Sequence, residues 1–267
     1  MLLSFSPANS LNSDLLWQVG CGAIFIMFLG WLWQVKTKNA GIVDVFWALG
    51  IMAGSIFIAA RGNGEFQLRV LLGIIGGLWF ARLGIHLLLR ILSESEDGRY
   101  RAIREKFGSK TNLFHCFFYL LQAGFIVMCV LPIWLLSHHT EPRLWTMISA
   151  VIIAAIAFIG EHQADHQLHL FRQDPDNKGK TCRLGLWKYS RHPNYFFEWC
   201  HWFVYPILGI GMTGAGWLWL APIVMFIFLY YGTGIPYTEM QALKSRGDDY
   251  REYQRTTSAF FPMRPKP

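Results

Sequence analysis

Seven apolar runs leave this chain few ways to fold. They lie at Leu15–Val35, Gly41–Ala60, Leu68–Leu92, Leu113–Leu136, Leu144–Gln163, Tyr195–Ile210 and Trp217–Gly232. A membrane-crossing helix needs about 20 mostly apolar residues, within a range of about 17 to 25. In hydrocarbon the backbone must satisfy its own hydrogen bonds, and uninterrupted runs of this length do so as α-helices. The expected fold is therefore all-α, a polytopic membrane bundle of about seven transmembrane helices. The sixth run is short, and six spans with a re-entrant piece near Gly209–Gly216 is the other reading. Composition agrees: 53% of residues are hydrophobic and 15% charged, against about 25% charged in a soluble domain.

Cationic residues set the expected orientation. Lys36, Lys38, Arg90, the Arg99–Lys110 loop, the Arg172–Arg191 segment and the Lys244–Lys266 tail all fall on one side, and Arg61, Arg69 and Arg143 on the other. The positive-inside bias puts the N-terminus outside and the C-terminus in the cytoplasm, as in a bacterial inner-membrane protein. Met1–Ser13 lacks the positive region of a cleaved signal. The net charge of +7 is explained by anionic lipid and an anionic cofactor, without nucleic acid. Five cysteines form no CxxC pair, so neither a disulfide framework nor a thiolate zinc site is indicated. Residues 1–267 read as one integral membrane domain, with no repeat and no separable soluble part.

Polar side chains inside or beside the runs carry the functional reading. Gly185-Leu-Trp-Lys-Tyr-Ser-Arg-His-Pro-Asn-Tyr-Phe-Phe-Glu-Trp-Cys-His-Trp202 begins as a cationic loop and becomes an aromatic helix. Pro193 suits the first helical position, where its missing N–H has no partner to lose. Asn194, Glu198 and His201 then share one face. A helix N-terminus beside Arg191 and His192 favours anions. An interfacial helix with a positive collar would also look like this. Asp44 opens the second run; an acid there is either a functional group or a residue favoured by the helix dipole, and both can hold together. Arg82, His86 and Arg90 share a face of the third run, with Asp44 as the candidate partner of Arg82. The fifth run leaves the membrane through a stripe of Glu161, Asp165 and Arg172. Arg99–Phe107 is expected as a short helix stopped by Gly108, and Glu239–Tyr253 as an amphipathic tail helix, with Phe260-Phe-Pro262 docking back on the body.

Two signals are set aside. Gly209-Ile-Gly-Met-Thr-Gly214 matches GxGxxG but has no strand before it. His162, His166 and His169, with Glu161 and Asp165, have spacings that suit a metal, yet His138-His139 falls on the other side of the membrane, and no metal site is expected.

Ala164-Asp165 through Leu170-Phe171-Arg172, Gly185-Leu-Trp with Tyr189-Ser-Arg-His-Pro-Asn-Tyr195 and Glu198, and Gly234-Ile-Pro with Glu239 and Tyr250–Tyr253 resemble the steroid 5α-reductase C-terminal-domain superfamily. The bacterial and plant branch, of unassigned substrate, is the most similar. Ile42-Val-Asp-Val-Phe-Trp47 and Arg99-Tyr100 extend the likeness over nearly the whole chain. The resemblance implies a seven-helix membrane oxidoreductase of lipid metabolism, holding NADPH in a polar cavity open to the cytoplasm. It would reduce a C=C bond conjugated to a carbonyl in a steroid-like or other lipid substrate. The cofactor-binding part would be about 144–262. Asp165, Arg172, Asn194 and Glu198 match cofactor-contacting positions; Tyr189, Arg191, His192, Tyr195, Glu239 and Tyr250 are expected beside them, with Arg82, Arg90 and Arg99 as further cationic candidates. Steroid reductases pair a Glu in the second helix with a Tyr in the third. Here Asp44 is the counterpart of the Glu, and Trp79 stands in place of the Tyr. Either Asp44 works with His86 or Tyr100, or the substrate is not a steroid enone.

An Arg-His-Pro-Asn-Tyr segment followed by a Glu and a Tyr-rich tail also resembles the isoprenylcysteine carboxyl methyltransferases. In that alternative Arg191, His192 and Glu239 would hold S-adenosylmethionine. A lipid-binding scaffold without cofactor is the third reading.

Overall fold

The computed structural model describes residues 12–93, 98–232 and 234–266. It is all-α, with no strand among the described residues. Its helices are α1 Ser13–Thr37, α2 Ile42–Arg61, α3 Phe66–Ser93, α4 Gly98–Phe107, α5 Thr111–Leu136, α6 Leu144–Gln173, α7 Pro193–His201, α8 Val204–Leu208, α9 Leu220–Tyr230 and α10 Ile235–Thr256. Among the described residues, six helical segments are long and apolar enough to cross a membrane: α1, α2, α3, the segment ending in α5, α6, and the segment Ala215–Thr256. The protein is thus a polytopic integral membrane protein. The apolar part of the last segment ends with α9. From Glu239 onward α10 carries Lys244, Arg246, Asp248, Asp249, Arg251, Glu252 and Arg255, a density of charge that hydrocarbon does not admit.

The sixth apolar run departs from a single span. It forms α7 and α8, separated at Trp202-Phe203. Pro206 has no N–H to offer the carbonyl of Trp202, and its ring collides with that carbonyl in an unbroken helix, so the chain turns there. The Gly209–Gly214 stretch is a turn, with Gly211 at φ 95°, and a Cβ on Gly211 would meet the Arg143 guanidinium.

The chain divides into two compact units, Met1–Pro142 and Arg143–Pro267. In the first, α1 starts at Asn12, whose side chain accepts from the Asp14 amide, and stops at Lys38 in left-handed geometry. Asp44 sits in the first turn of α2. Arg69 donates to the carbonyls of Ala59 and Gly64, closing the other end of α2. Helices α2 and α3 pack closely because Gly76 faces Ser55, where a Cβ would be crowded. Ile51, Ile58, Leu68, Leu72, Phe80, Ile126 and Ile133 fill the core, whereas Phe25, Trp33, Ile74, Leu78 and Phe117 are exposed. An exposed apolar rim around an apolar core is what lipid as solvent permits.

In the second unit, α6 is 30 residues long, about 45 Å at 1.5 Å per residue. A hydrocarbon core of about 30 Å leaves its last turns outside, and these hold Asp165 and Arg172. An aromatic cluster joins the end of the chain to the helices: Phe260 is 1% exposed and packs edge-on against Phe226 and Trp199, with centroids 5.3 and 5.7 Å away. The expected docking of Phe260-Phe-Pro262 is observed.

Candidate functional site

The loop between α6 and α7 is held by the tail. The Thr181 amide donates to Asp249 at 2.7 Å, and Arg183 pairs with the same carboxylate at 2.9 Å. The Tyr253 hydroxyl donates to the carbonyls of Trp187 and Ser190. The Arg191 amide donates to Ser258 O, and the Met263 amide to Tyr189 O. Ser190, fully buried, donates its hydroxyl to Phe260 O at 2.8 Å and accepts from the His192 amide. A loop rich in backbone polar groups is thereby satisfied without regular structure.

This arrangement places His192 and Pro193 at the start of α7 and brings Arg191, His192 and Glu239 to one point. Arg191 Nε donates to Glu239 Oε1 at 2.6 Å, and its Nη1 to the carbonyls of Gln254 (3.0 Å) and Thr257 (2.6 Å). His192 Nε2 lies 3.3 Å from Glu239 Oε1. Gln254 donates to Glu239 Oε2 at 2.8 Å, and the Tyr250 hydroxyl to Oε1 at 3.4 Å. Burial alone would raise the Glu239 carboxyl, but the hydrogen bonds from His192, Arg191 and Gln254 and the Arg191 charge outweigh it and hold its pKa at about 2. Burial lowers the pKa of His192 against the pull of Glu239, and because the ionised carboxylate can only accept, Nε2 is the donor between them. Tyr195 stacks on His192 (5.4 Å) and its hydroxyl meets Thr238.

A second polar group lies where α6 meets α7. Asn194 Nδ2 donates to Asp165 Oδ1 at 3.3 Å. The other amide atom, Oδ1, is buried with no hydrogen-bond partner. One turn on, Glu198 accepts from the Trp202 indole at 3.1 Å. His201 is fully buried and bonds the Tyr205 hydroxyl. Arg172, two turns beyond Asp165 on α6, is exposed, as is Tyr189. His162 and His166 stack on each other, exposed.

The remaining expected residues belong to the first unit. Asp44 is half-buried in the first turn of α2. Arg82 lies over the Trp79 ring at 5.2 Å, His86 is exposed, and Arg90 is half-buried. Tyr100 is 4% exposed and edge-on to His115. Arg99 falls within α4, and its side chain lies outside the described residues.

Sequence reading missed Gln254, whose uncharged amide in a charged tail gives no signal. It also missed a buried pair in the first unit, His115 Nδ1 and Gln34 Oε1 at 3.1 Å, both 0% exposed. An amide and an imidazole facing inward from apolar runs could have revealed that pair.

The class defined by fold and site is an all-α integral membrane protein with a buried Arg–Glu–His cluster and an Asp–Asn pair at the ends of its helices. The chain belongs to the family described as "Protein of unknown function (DUF1295)", whose model matches residues 30–257. A comparison with curated proteins finds no match.

Proposed function

We propose that this protein is a membrane oxidoreductase that uses NADPH to reduce a C=C bond conjugated to a carbonyl in a steroid-like or other lipid substrate. The observation that carries the reading is the buried Oδ1 of Asn194. An unsatisfied buried acceptor costs about 1–3 kcal/mol, and a ligand N–H would relieve it. Beside it the Asp165 carboxylate offers a second acceptor, and Arg172 on the same stripe of α6 offers a cation. Acceptors at one end and a guanidinium at the other suit a molecule with amide and hydroxyl hydrogens and with phosphates.

Asp165, Asn194 and Glu198 would hold the polar hydrogens of the nucleotide, and Arg172 a phosphate. When bound, NADPH supplies a hydride. In this reading Arg191, His192 and Glu239 serve chiefly to position the loop, because their polar atoms are engaged by one another and by the tail. Tyr195 and Tyr250 support His192 and Glu239 in turn. Asp44, held protonated and assisted by His86 or Tyr100, would donate a hydrogen bond to the substrate oxygen and so stabilise the negative charge developing there. The positive-inside bias gives the site a cytoplasmic face.

Calorimetry on the detergent-purified protein tests the proposal. NADPH is expected to bind more tightly than NADH, and Arg172→Ala to weaken NADPH binding; equal affinity in that variant counts against the reading. The convergence of Arg191 and His192 on Glu239 favours a second reading, in which these three hold S-adenosylmethionine. Binding of that molecule in place of NADPH in the same titration would select it.

A further inference from the structure

Trp47, in α2, carries a polar atom that the fold does not satisfy. Its indole Nε1 is closed to solvent and has no hydrogen-bond partner, although the residue as a whole is only half-buried. A buried indole N–H ordinarily finds an acceptor, and leaving it without one costs about 1–3 kcal/mol. Hydrocarbon offers no water to take the place of that acceptor. Indole nitrogen donates and does not accept. Whatever relieves Trp47 must therefore bring a lone pair.

The neighbours of Trp47 within the first unit fix where that lone pair would lie. Trp47 follows Asp44 by three positions in α2, so the two side chains share one helix face, with Cβ atoms about 5–6 Å apart. The Trp47 ring meets Phe80 of α3 edge-on, with centroids 6.1 Å apart and planes at 87°. Phe80 is fully buried, and a close-packed core yields little room for the indole to turn away. A carboxyl and an indole N–H thus stand side by side on α2, and the indole has a donor to spare.

We propose that the Trp47 indole N–H is a second hydrogen-bond donor to the substrate oxygen, acting beside Asp44. In naming that oxygen as a carbonyl, the assignment rests on the reductase reading above. Reduction of a conjugated C=C bond adds hydride to the carbon remote from the carbonyl and a proton to the carbon beside it. Between the two additions the negative charge resides on the carbonyl oxygen, as an enolate. That oxygen has lone pairs for two donors, and donors set in place beforehand in a water-free site stabilise it most. Trp47 keeps its own proton throughout, so it lowers the barrier without entering the proton balance.

Infrared spectra of the full-length protein in detergent, with an enone bound, test the assignment. The probes are a steroid enone and a long-chain linear enone, each isotopically labelled at the carbonyl. Hydrogen bonding weakens the C=O bond, so the band of the bound probe should lie below its position in apolar solvent. Trp47→Phe keeps the ring and removes the N–H. The band should then rise, and kcat for reduction by NADPH should fall by about 100-fold with KM little changed. The thermal midpoint should hold or rise, since an unsatisfied buried donor has been removed. Trp47→Tyr returns a donor and should recover part of both signals, whereas Trp33→Phe, at an exposed position, should alter neither. A band and a kcat that Trp47→Phe leaves in place would show an N–H that only rests its edge on Phe80; the assignment is then overturned while the reductase reading stands. A band lowered through Trp47, with no reduction on adding NADPH, upholds the oxygen site and ends the reductase reading. A bound carbonyl at its apolar-solvent position in the unaltered protein, or binding of neither enone, overturns the assignment without any variant.

Discussion

Arg191 and Glu239, 48 positions apart, meet at 2.6 Å with their side chains 11% and 15% exposed. The contact ties the loop before α7 to the first half of α10. Four donors converge on this one carboxylate, so it organises the second unit rather than decorating its surface.

Removing that carboxylate should be costly. Glu239→Ala leaves Arg191 charged, nearly closed to solvent and without its counter-ion, and loss of one partner from a buried pair costs about 3 kcal/mol. The expected outcome is a lower thermal midpoint in detergent and faster proteolysis of the tail beyond Ile235. An unchanged midpoint would show that the cluster does not hold the tail.

The same cluster sets an acid limit. His192 has a lowered pKa in the fold, so below its ordinary value of 6.5 the unfolded chain takes a proton that the fold resists, and stability falls as pH falls. Glu239 is depressed from 4.5 to about 2, so its contribution is present above 4.5 and is lost progressively from there down toward 2. Above 6.5 these two groups give no pH dependence. Thermal midpoints measured down the acid range should decline in these two windows, and His192→Gln should remove the upper one.

Asn194 separates cofactor binding from packing. Asn194→Ala deletes one hydrogen bond to Asp165 and the buried Oδ1, so NADPH affinity should fall by about tenfold, equivalent to about 1.4 kcal/mol. The thermal midpoint of the ligand-free protein should change little, since losing the 3.3 Å bond to Asp165 is offset by removing a buried acceptor that has no partner. A large stability loss with unchanged affinity would assign the residue to structure alone.

Asp44 should behave in the opposite way. Asp44→Asn preserves shape while removing the acidic proton, so NADPH affinity should hold while turnover of a suitable enone falls by about 100-fold or more. Undiminished turnover would take Asp44 out of the chemistry.

Gly160 tests how α6 approaches α7. A Cβ there runs into the Phe197 ring, so Gly160→Ala should cost about 1–3 kcal/mol through overpacking. Gly124, where a Cβ would meet nothing within 4 Å, is the control, and Gly124→Ala should be nearly neutral.

Runs of apolar residues marked α1, α2, α3, α5 and α6 because length and hydropathy decide what lipid will accept. Helical periodicity placed Asp165 and Arg172 on one stripe, because residues seven apart return to the same face whatever surrounds them. Gly108 stopped α4 with a positive φ, as its lack of a Cβ allows. The break between α7 and α8 was also present in the sequence, in Pro206, but apolar composition concealed it.

What tertiary structure decided was partnership. Nothing in the order of residues told Arg191 that it would meet Glu239, Gln254 and Thr257, or Arg183 that it would meet Asp249. Each outcome depends on where a distant segment returns, and Coulomb attraction acts on distance in space, which the folded path sets. The sequence by itself therefore determined which segments are helical and which charges exist; only the folded chain decided which of those charges meet one another.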